Sequence, residues 1–284
     1  MKVNIICTDV GWIYSKFIDM FKKHSKHEIL LNSKDENIAV TYYLPYYEAP
    51  KKVAHPSTAW FSHQEARKDL KAKFVSVAKA VDFSISHSKK YADLLKNQHG
   101  INNVVQIMPG IDFDKFKLRS QKRSSSDKLI VGYVGRHYTS SNRKNPRLLE
   151  KISKLPFVDL RITGGKIKED NIPKFYESLD ITISPATIEG GPMAIQESLT
   201  VGTPILCFEN VGVANEFGVG VLKVPFGDEV AFIKKLTKFW KTKRYERYRD
   251  LELMQKLRAQ VEDQTWKNFV EKHDEIWGSS NILQ

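Results

Sequence analysis

The sequence predicts an α/β protein built from two doubly wound, mostly parallel sheets. Two observations carry that expectation. Short runs of β-branched and aromatic residues alternate with helical patterns almost from end to end. A polar, serine-rich and aperiodic stretch, Arg119-Ser120-Gln121-Lys122-Arg123-Ser124-Ser125-Ser126-Asp127, divides the alternation into two series. At 284 residues the chain is long enough for two domains of ordinary size.

In the first series Val3–Cys7 is an apolar run closed by Asp9, which reads as a buried first strand and not as a signal peptide. Strands are likewise expected at Ile38–Tyr43, Thr58–Ser62, Phe83–Ser86 and Val104–Met108. Helices are expected between them at Trp12–Lys23, Glu65–Ala80 and Lys89–Gln98. The second series runs strand Leu129–Val134, helix Pro146–Leu155, strand Val158–Thr163, helix Pro173–Leu179 and strand Ile181–Ser184. A helix then starts at Pro192, followed by strand Ile205–Phe208 and helical segments around Tyr245–Gln260 and Trp266–Trp277. This places one domain at 1–113, a linker at 114–127, a second domain at 128–261 and a terminal helical segment at 262–284.

Hydrophobic residues make up 41% and charged residues 27%, the balance of a globular protein, and no apolar run approaches the roughly 20 residues that span a bilayer. Cys7 and Cys207 are the only cysteines and both fall in apolar strand-like runs. A disulfide framework is not expected, and a reducing cytoplasm is the simplest location. Net charge is +12, which attracts phosphates of any kind. The excess is concentrated at 234–249, where Lys234, Lys235, Lys238, Lys241, Lys243, Arg244, Arg247 and Arg249 face Glu246 alone. That run reads either as a solvated helical face or as a reversible contact with an anionic membrane or other polyanion.

The most informative stretch is Glu189-Gly190-Gly191-Pro192-Met193-Ala194-Ile195-Gln196-Glu197. Pro192 suits the first position of a helix, where its missing N–H would have no partner. Ala194, Ile195 and Leu199 continue a buried helical face. The helix start offers free N–H groups and the positive end of the dipole, and the glycine pair lets a ligand approach, so the stretch suits an anion such as phosphate. Eight helical residues separate two carboxylates by roughly 12 Å, too far to share a proton. Glu189 and Glu197 are therefore expected to touch different parts of one extended ligand.

This spacing resembles the Glu-x7-Glu motif of retaining glycosyltransferases of the GT-B fold, specifically their family four. Other segments match in the family's order: Pro109-Gly110-Ile111-Asp112 with Phe116, Gly132-Tyr133-Val134-Gly135-Arg136 followed by Lys144-Asn145, Ile172-Pro173 through Tyr176 and Asp180 to Ile183-Ser184-Pro185, and Gly202-Thr203-Pro204-Ile205. The resemblance is dense over 104–210 and thin before residue 82. It implies two Rossmann-like domains facing across a cleft, with an N-terminal domain shortened relative to the family and a terminal helix returning towards it.

The resemblance also implies roles. Arg136 and Lys144 would grip the diphosphate of a nucleoside-diphosphate sugar, where charge develops as the glycosidic bond breaks. Glu189 would touch the transferred sugar, and Glu197 the ribose diol, for which an ionised carboxylate is a suitable acceptor. Gly135, Gly190, Gly191, Pro192 and Met193 would line the nucleotide-sugar site. His63 resembles the histidine that faces the donor sugar; as a residue it reads equally as a surface or capping histidine. Taken alone, Glu197 also reads as a helix glutamate near a favourable dipole, and Glu189 as a loop acid before a tight turn.

Asp112-Phe113-Asp114 spells a metal-binding pattern of a different glycosyltransferase fold but falls where this family closes its first domain, so it is read as structural. No cluster has metal-ligand spacing, and neither a P-loop nor a dinucleotide fingerprint is present. The expected activity is transfer of a sugar, with retention, to a hydroxyl of a glycan or lipid-linked glycan, with no cofactor and no metal. The expected location is the cytoplasm, at the inner face of the membrane where the basic run touches it. Two alternatives stay open: a DNA-modifying glycosyltransferase, to which the charge would be suited, and a non-catalytic sugar-nucleotide or glycan-binding module.

Overall fold

The computed structural model describes residues 1–8, 10–11, 13–123, 126–135, 142–191 and 193–279. The chain folds as two compact units, Met1–Gly110 with Gln264–Gln284, and Ile111–Asp263.

The first unit contains β1 (Lys2–Ile6), α1 (Ile13–His24), β2 (Glu28–Leu31), β3 (Val40–Tyr43), β4 (Ser57–Phe61), α2 (Lys68–Ala80), β5 (Phe83–Ser86), α3 (Lys89–Asp93, continued by a wider-wound turn to Gln98) and β6 (Val104–Gln106). Its six strands are all parallel, in the order β2-β1-β3-β4-β5-β6. Side chains alternate across the pleat, so neighbours on one strand enter different cores. Tyr42 and Trp60 pack with Phe17 and Phe21 on one face, and Tyr43 and Phe61 pack with Tyr46 and Phe74 on the other. The strand Glu28–Leu31 was not expected. It is a four-residue edge strand, half-exposed and paired only to β1, so it carries neither a long apolar run nor clean alternation. The helix expected from Glu65 begins at Lys68.

The second unit contains β7 (Leu129–Tyr133), α4 (Pro146–Ser153), β8 (Val158–Ile162), α5 (Ile172–Glu177), β9 (Ile181–Ser184), α6 (Met193–Thr200), β10 (Ile205–Phe208), β11 (Val221–Val224), α7 (Glu229–Lys241), α8 (Arg244–Arg247) and α9 (Leu251–Ala259). Its sheet is parallel in the order β11-β10-β9-β7-β8. The chain steps from β7 outward to β8 and then crosses to β9 on the other side, so winding reverses between β7 and β9. Open α/β sheets bind ligands just beyond the carboxyl ends of strands at such a reversal. Gly132 in β7 is there because a Cβ would lie 2.0 Å from Leu179 Cδ1. β11 had no counterpart among the expected elements, and α7 was foreseen only as the helical face offered for part of the basic run; Asp228 caps α7 by accepting from Ala231 N at 2.8 Å.

The stretch expected as a linker, 114–127, falls within the second unit. Its polarity has a structural cause: two of its arginines reach into buried carbonyls and a buried carboxylate. Arg119, only 3% exposed, donates to Leu179 O at 2.5 Å and Tyr248 O at 2.7 Å. Arg123 makes a two-pronged pair with fully buried Asp180, at 2.9 and 2.7 Å. Asp180 also accepts from Ile130 N at 2.9 Å, so the cluster pins the start of β9 to β7. Arg249 joins it, donating to Ser120 O, Lys122 O and Leu179 O. This removes Arg249 from the basic run read as a surface feature.

The final helix, α10 (Trp266–Trp277), belongs to the first unit and packs on α1. Thr265 caps it by accepting from Asn268 N at 3.0 Å. Phe269 lies 4.9 Å from Phe17 and 5.3 Å from Phe21 between ring centroids, and Asp274 accepts from Ser25 Oγ and Lys26 N at the end of α1. Gly110 passes so close that a Cβ there would lie 2.3 Å from Trp266 N. Among the described residues, no helix is long and apolar enough to cross a membrane.

Candidate functional site

The loops that follow β7 and β9 lie beyond the carboxyl ends of these adjacent strands. β7 runs into Gly135, whose φ of +147° is one that glycine adopts freely and whose N–H donates to Thr163 Oγ1 at 3.1 Å. The loop after β7 ends in a short 3-10 turn, Asn142–Lys144, before Asn145 caps α4 and Pro146 opens it. The loop after β9 holds Glu189, Gly190 and Gly191 ahead of α6. Thr187 N donates to Arg143 O at 2.9 Å and ties the two loops together. The Lys144 ammonium and the Glu189 carboxylate consequently form an ion pair, with 18% and 10% of their side chains exposed.

Burial pulls the Lys144 ammonium down from its ordinary value, to about 7, and Arg143 adds repulsion. The Glu189 carboxylate beside it acts the other way, favouring the charged form. Glu197 sits in the second turn of α6, where the Tyr176 hydroxyl donates to its Oε2 at 2.7 Å. Most of the Glu197 carboxyl's hydration is lost to surrounding protein, although the residue keeps an edge open to solvent. Desolvation raises it from 4.5 to about 7, with the Tyr176 hydrogen bond opposing. A cation and a buried carboxylate thus lie ahead of a helix start with a second, desolvated carboxyl in its second turn, an arrangement able to hold an anion with a polyol at either end.

Residues 95–260 match the model of the family "Glycosyl transferases group 1", which is more than half of the chain. The chain belongs to that family. A search of curated proteins found no match. Among solved structures, this group 1 glycosyltransferase is similar to sucrose-phosphate synthase from Thermosynechococcus elongatus, with a TM-score of 0.77, 12% identity and 98% of each chain covered. It is similar to HepE from Anabaena, solved in complex with UDP-glucose, with a TM-score of 0.73, 12% identity, and 97% and 99% of the two chains covered. A glycosyltransferase from Rickettsia africae gives a TM-score of 0.67 at 14% identity over 100% and 98% of the chains. At these identities the likeness is one of fold, and the fold is GT-B.

Of the residues singled out in this glycosyltransferase's sequence, Lys144, Glu189, Gly190, Gly191, Met193 and Glu197 all lie in the second unit, on the two tied loops and α6. Arg136 and Pro192 lie outside the described residues. Gly135 ends the described part of the loop after β7. His63 belongs to the first unit, just past β4, with Nδ1 3.0 Å from Ser62 Oγ and Nε2 2.8 Å from Glu65 Oε1. Asp112 accepts from Asp114 N and Lys115 N at 3.1 Å and so shapes a turn.

Three supporting residues were not read as functional from sequence. Tyr176 positions Glu197 from 21 residues away, a separation that carries no local signal. Arg143 offers the carbonyl that joins the loops. Gly212, at φ +54°, lies under the 190–191 turn: a Cβ there would come within 2.9 Å of Gly190 O and Gly191 Cα. In the sequence Gly212 stands between Val211 and Val213, which favour extended backbone and give no signal of what the glycine supports.

Proposed function

We propose that this chain transfers a sugar from a uridine-diphosphate sugar to a hydroxyl of a glycan or lipid-linked glycan, with retention at the anomeric carbon. The observation that carries this reading is the meeting of Lys144 and Glu189 beyond the β7 and β9 ends, beside the α6 start. The binding of UDP-glucose by HepE and of UDP with GlcNAc by the pneumococcal O-GlcNAc transferase GtfA, two proteins of similar fold, supports the choice of uridine.

In this reading Lys144 exchanges its Glu189 partner for the diphosphate, and Arg136, on the resemblance, and the N–H groups of Gly190, Gly191 and Met193 share the remaining charge. Glu189, released, accepts from the sugar hydroxyls, and Glu197 holds the ribose with Tyr176 behind it. His63 is assigned to the sugar on the resemblance alone. The bond from the anomeric carbon to the phosphate oxygen breaks as the acceptor oxygen bonds to the same face. A diphosphate oxygen takes the acceptor's proton, and the nucleoside diphosphate leaves. Fixed cations then do the work that a divalent ion does in other designs, so transfer is expected to persist in chelator.

The test is a thermal-shift series with uridine, guanosine, adenosine, cytidine and thymidine diphosphates. A ligand at about 100 times its Kd adds roughly 2.7 kcal/mol to the native state. UDP is expected to raise the melting temperature of the wild type and not of Lys144→Ala. Because that variant leaves Glu189 buried without its partner, each variant is compared with its own ligand-free form. UDP release from UDP-sugars on adding glycan acceptors then tests transfer. No shift with any diphosphate would remove the donor site. A shift with no turnover would favour a binding module.

A further inference from the structure

The helix α7 shows two faces. Phe232, Leu236 and Phe239 are buried in the core of the second unit. On the opposite side Val230, Lys234, Lys238 and Lys241 follow one another at steps of four, four and three residues, forming one exposed stripe. The stripe continues into exposed Lys243, Arg244 and Arg247 at and within α8. Several lysines elsewhere on this unit have acidic partners: Lys151 with Glu229 at 2.7 Å, Lys154 with Glu150 at 2.6 Å, Lys256 with Glu252 at 2.5 Å, and Lys115 with Glu169 and Asp170. No stripe cation makes an ion pair among the described residues. Nearby acids are committed or outnumbered, since Asp228 caps the helix, Glu229 holds Lys151, and Glu246 stands alone between Arg244 and Arg247. Complementing the α7 dipole explains cations in its last turn. It does not explain Lys234, nor the apolar end of the stripe.

That apolar end is Val230, 77% exposed, with Phe226 in the preceding loop 53% exposed. An amphipathic surface with apolar side chains at one end and lysines along it fits the boundary between headgroups and acyl chains. Five of the seven cations in 234–247 are lysines, point charges suited to diffuse attraction more than to the two-pronged reading of bases or phosphates. We infer that the α7–α8 face docks this protein reversibly on an anionic phospholipid bilayer, with Val230 and Phe226 entering the interface. This does not rest on the sugar donor or on the reaction.

The test is sedimentation of the full chain with vesicles of phosphatidylcholine alone, or with one part in three of phosphatidylglycerol, at physiological salt. Binding is expected to the anionic vesicles only. Each basic residue near such a surface is worth roughly fivefold in partitioning, so Lys234→Glu, Lys238→Glu and Lys241→Glu together should weaken binding at least about a hundredfold. A control with the same change in net charge, Lys22→Glu, Lys23→Glu and Lys26→Glu on the first unit, should weaken it far less. Val230→Ser should weaken vesicle binding and leave binding to a DNA duplex unchanged. Circular dichroism confirms that the variants fold. Equal losses from both triple variants, no vesicle binding, or tighter binding to duplex than to vesicles would each overturn the inference.

Discussion

Glu197 is a carboxyl whose burial makes stability depend on pH. Its carboxyl is desolvated and held up at about 7, against an ordinary 4.5, while Tyr176 donates to it at 2.7 Å. Between those two values the folded state keeps a proton that the unfolded chain has released, so stability falls as pH rises through that window. The contribution is fully present below about 4.5 and is lost once the pH passes about 7. Glu197→Gln lacks this titration but keeps an oxygen for Tyr176. Its melting temperature relative to wild type should therefore climb from pH 5 to pH 8 in paired scans at each pH. The same variant should show a smaller UDP shift, because the ribose loses an ionisable acceptor. A difference in melting temperature that is flat with pH would show that Glu197 is not held neutral by the fold.

At the scale of elements, the site is a set of turns braced from behind. α6 presents its start to the β7–β9 end of the sheet, and the 190–191 turn before it lies on Gly212. Alanine at 212 would meet two penalties: a left-handed backbone costing of order 1–3 kcal/mol, and a Cβ 2.9 Å from Gly190 O that forces backbone to move. Gly227, at φ +77°, has open space around it and supplies the control. Both alanine variants should lower the melting temperature, but only Gly212→Ala should also reduce the UDP-induced shift. Loss of that shift in both, or in neither, would mean that the 190–191 turn is not supported from Gly212.

For the whole molecule, the consequence of two units is that each has its own core packing. In the first unit the core on the α1 face of the sheet is completed only by the last helix: Phe269, 1% exposed, fills the space among Phe17, Phe21, Trp60 and Trp266. Phe269→Ala should remove roughly 3–5 kcal/mol from that unit. The proposed donor residues Lys144, Glu189 and Glu197 belong to the other unit, so the UDP affinity of the still-folded variant should be unchanged by titration calorimetry at low temperature. A parallel loss of affinity would tie the donor site to the first unit's core.

The alternation of strand and helix, the helix start after Gly191 and the ordered set of family motifs were legible in the sequence because each depends on residues close together in the chain. The candidate residues Lys144, Glu189 and Glu197 could be picked out in sequence because each lies inside a matching segment. Edge strand β2 was not legible, because four half-exposed residues carry too little pattern. Nor was the setting of Arg119 and Arg123, which look solvated until Leu179, Asp180 and Tyr248 are brought to meet them. Sequence alone determined which chemistry is present: two acids, a lysine and a glycine-rich helix start. The tertiary structure decided which of them touch. Lys144 pairs with Glu189, Tyr176 with Glu197, and Arg249 leaves the basic surface for the interior. The physical reason is that partners 21 to 129 residues apart meet only when the strands and helices between them are packed together, and both burial and charge pairing depend on that meeting.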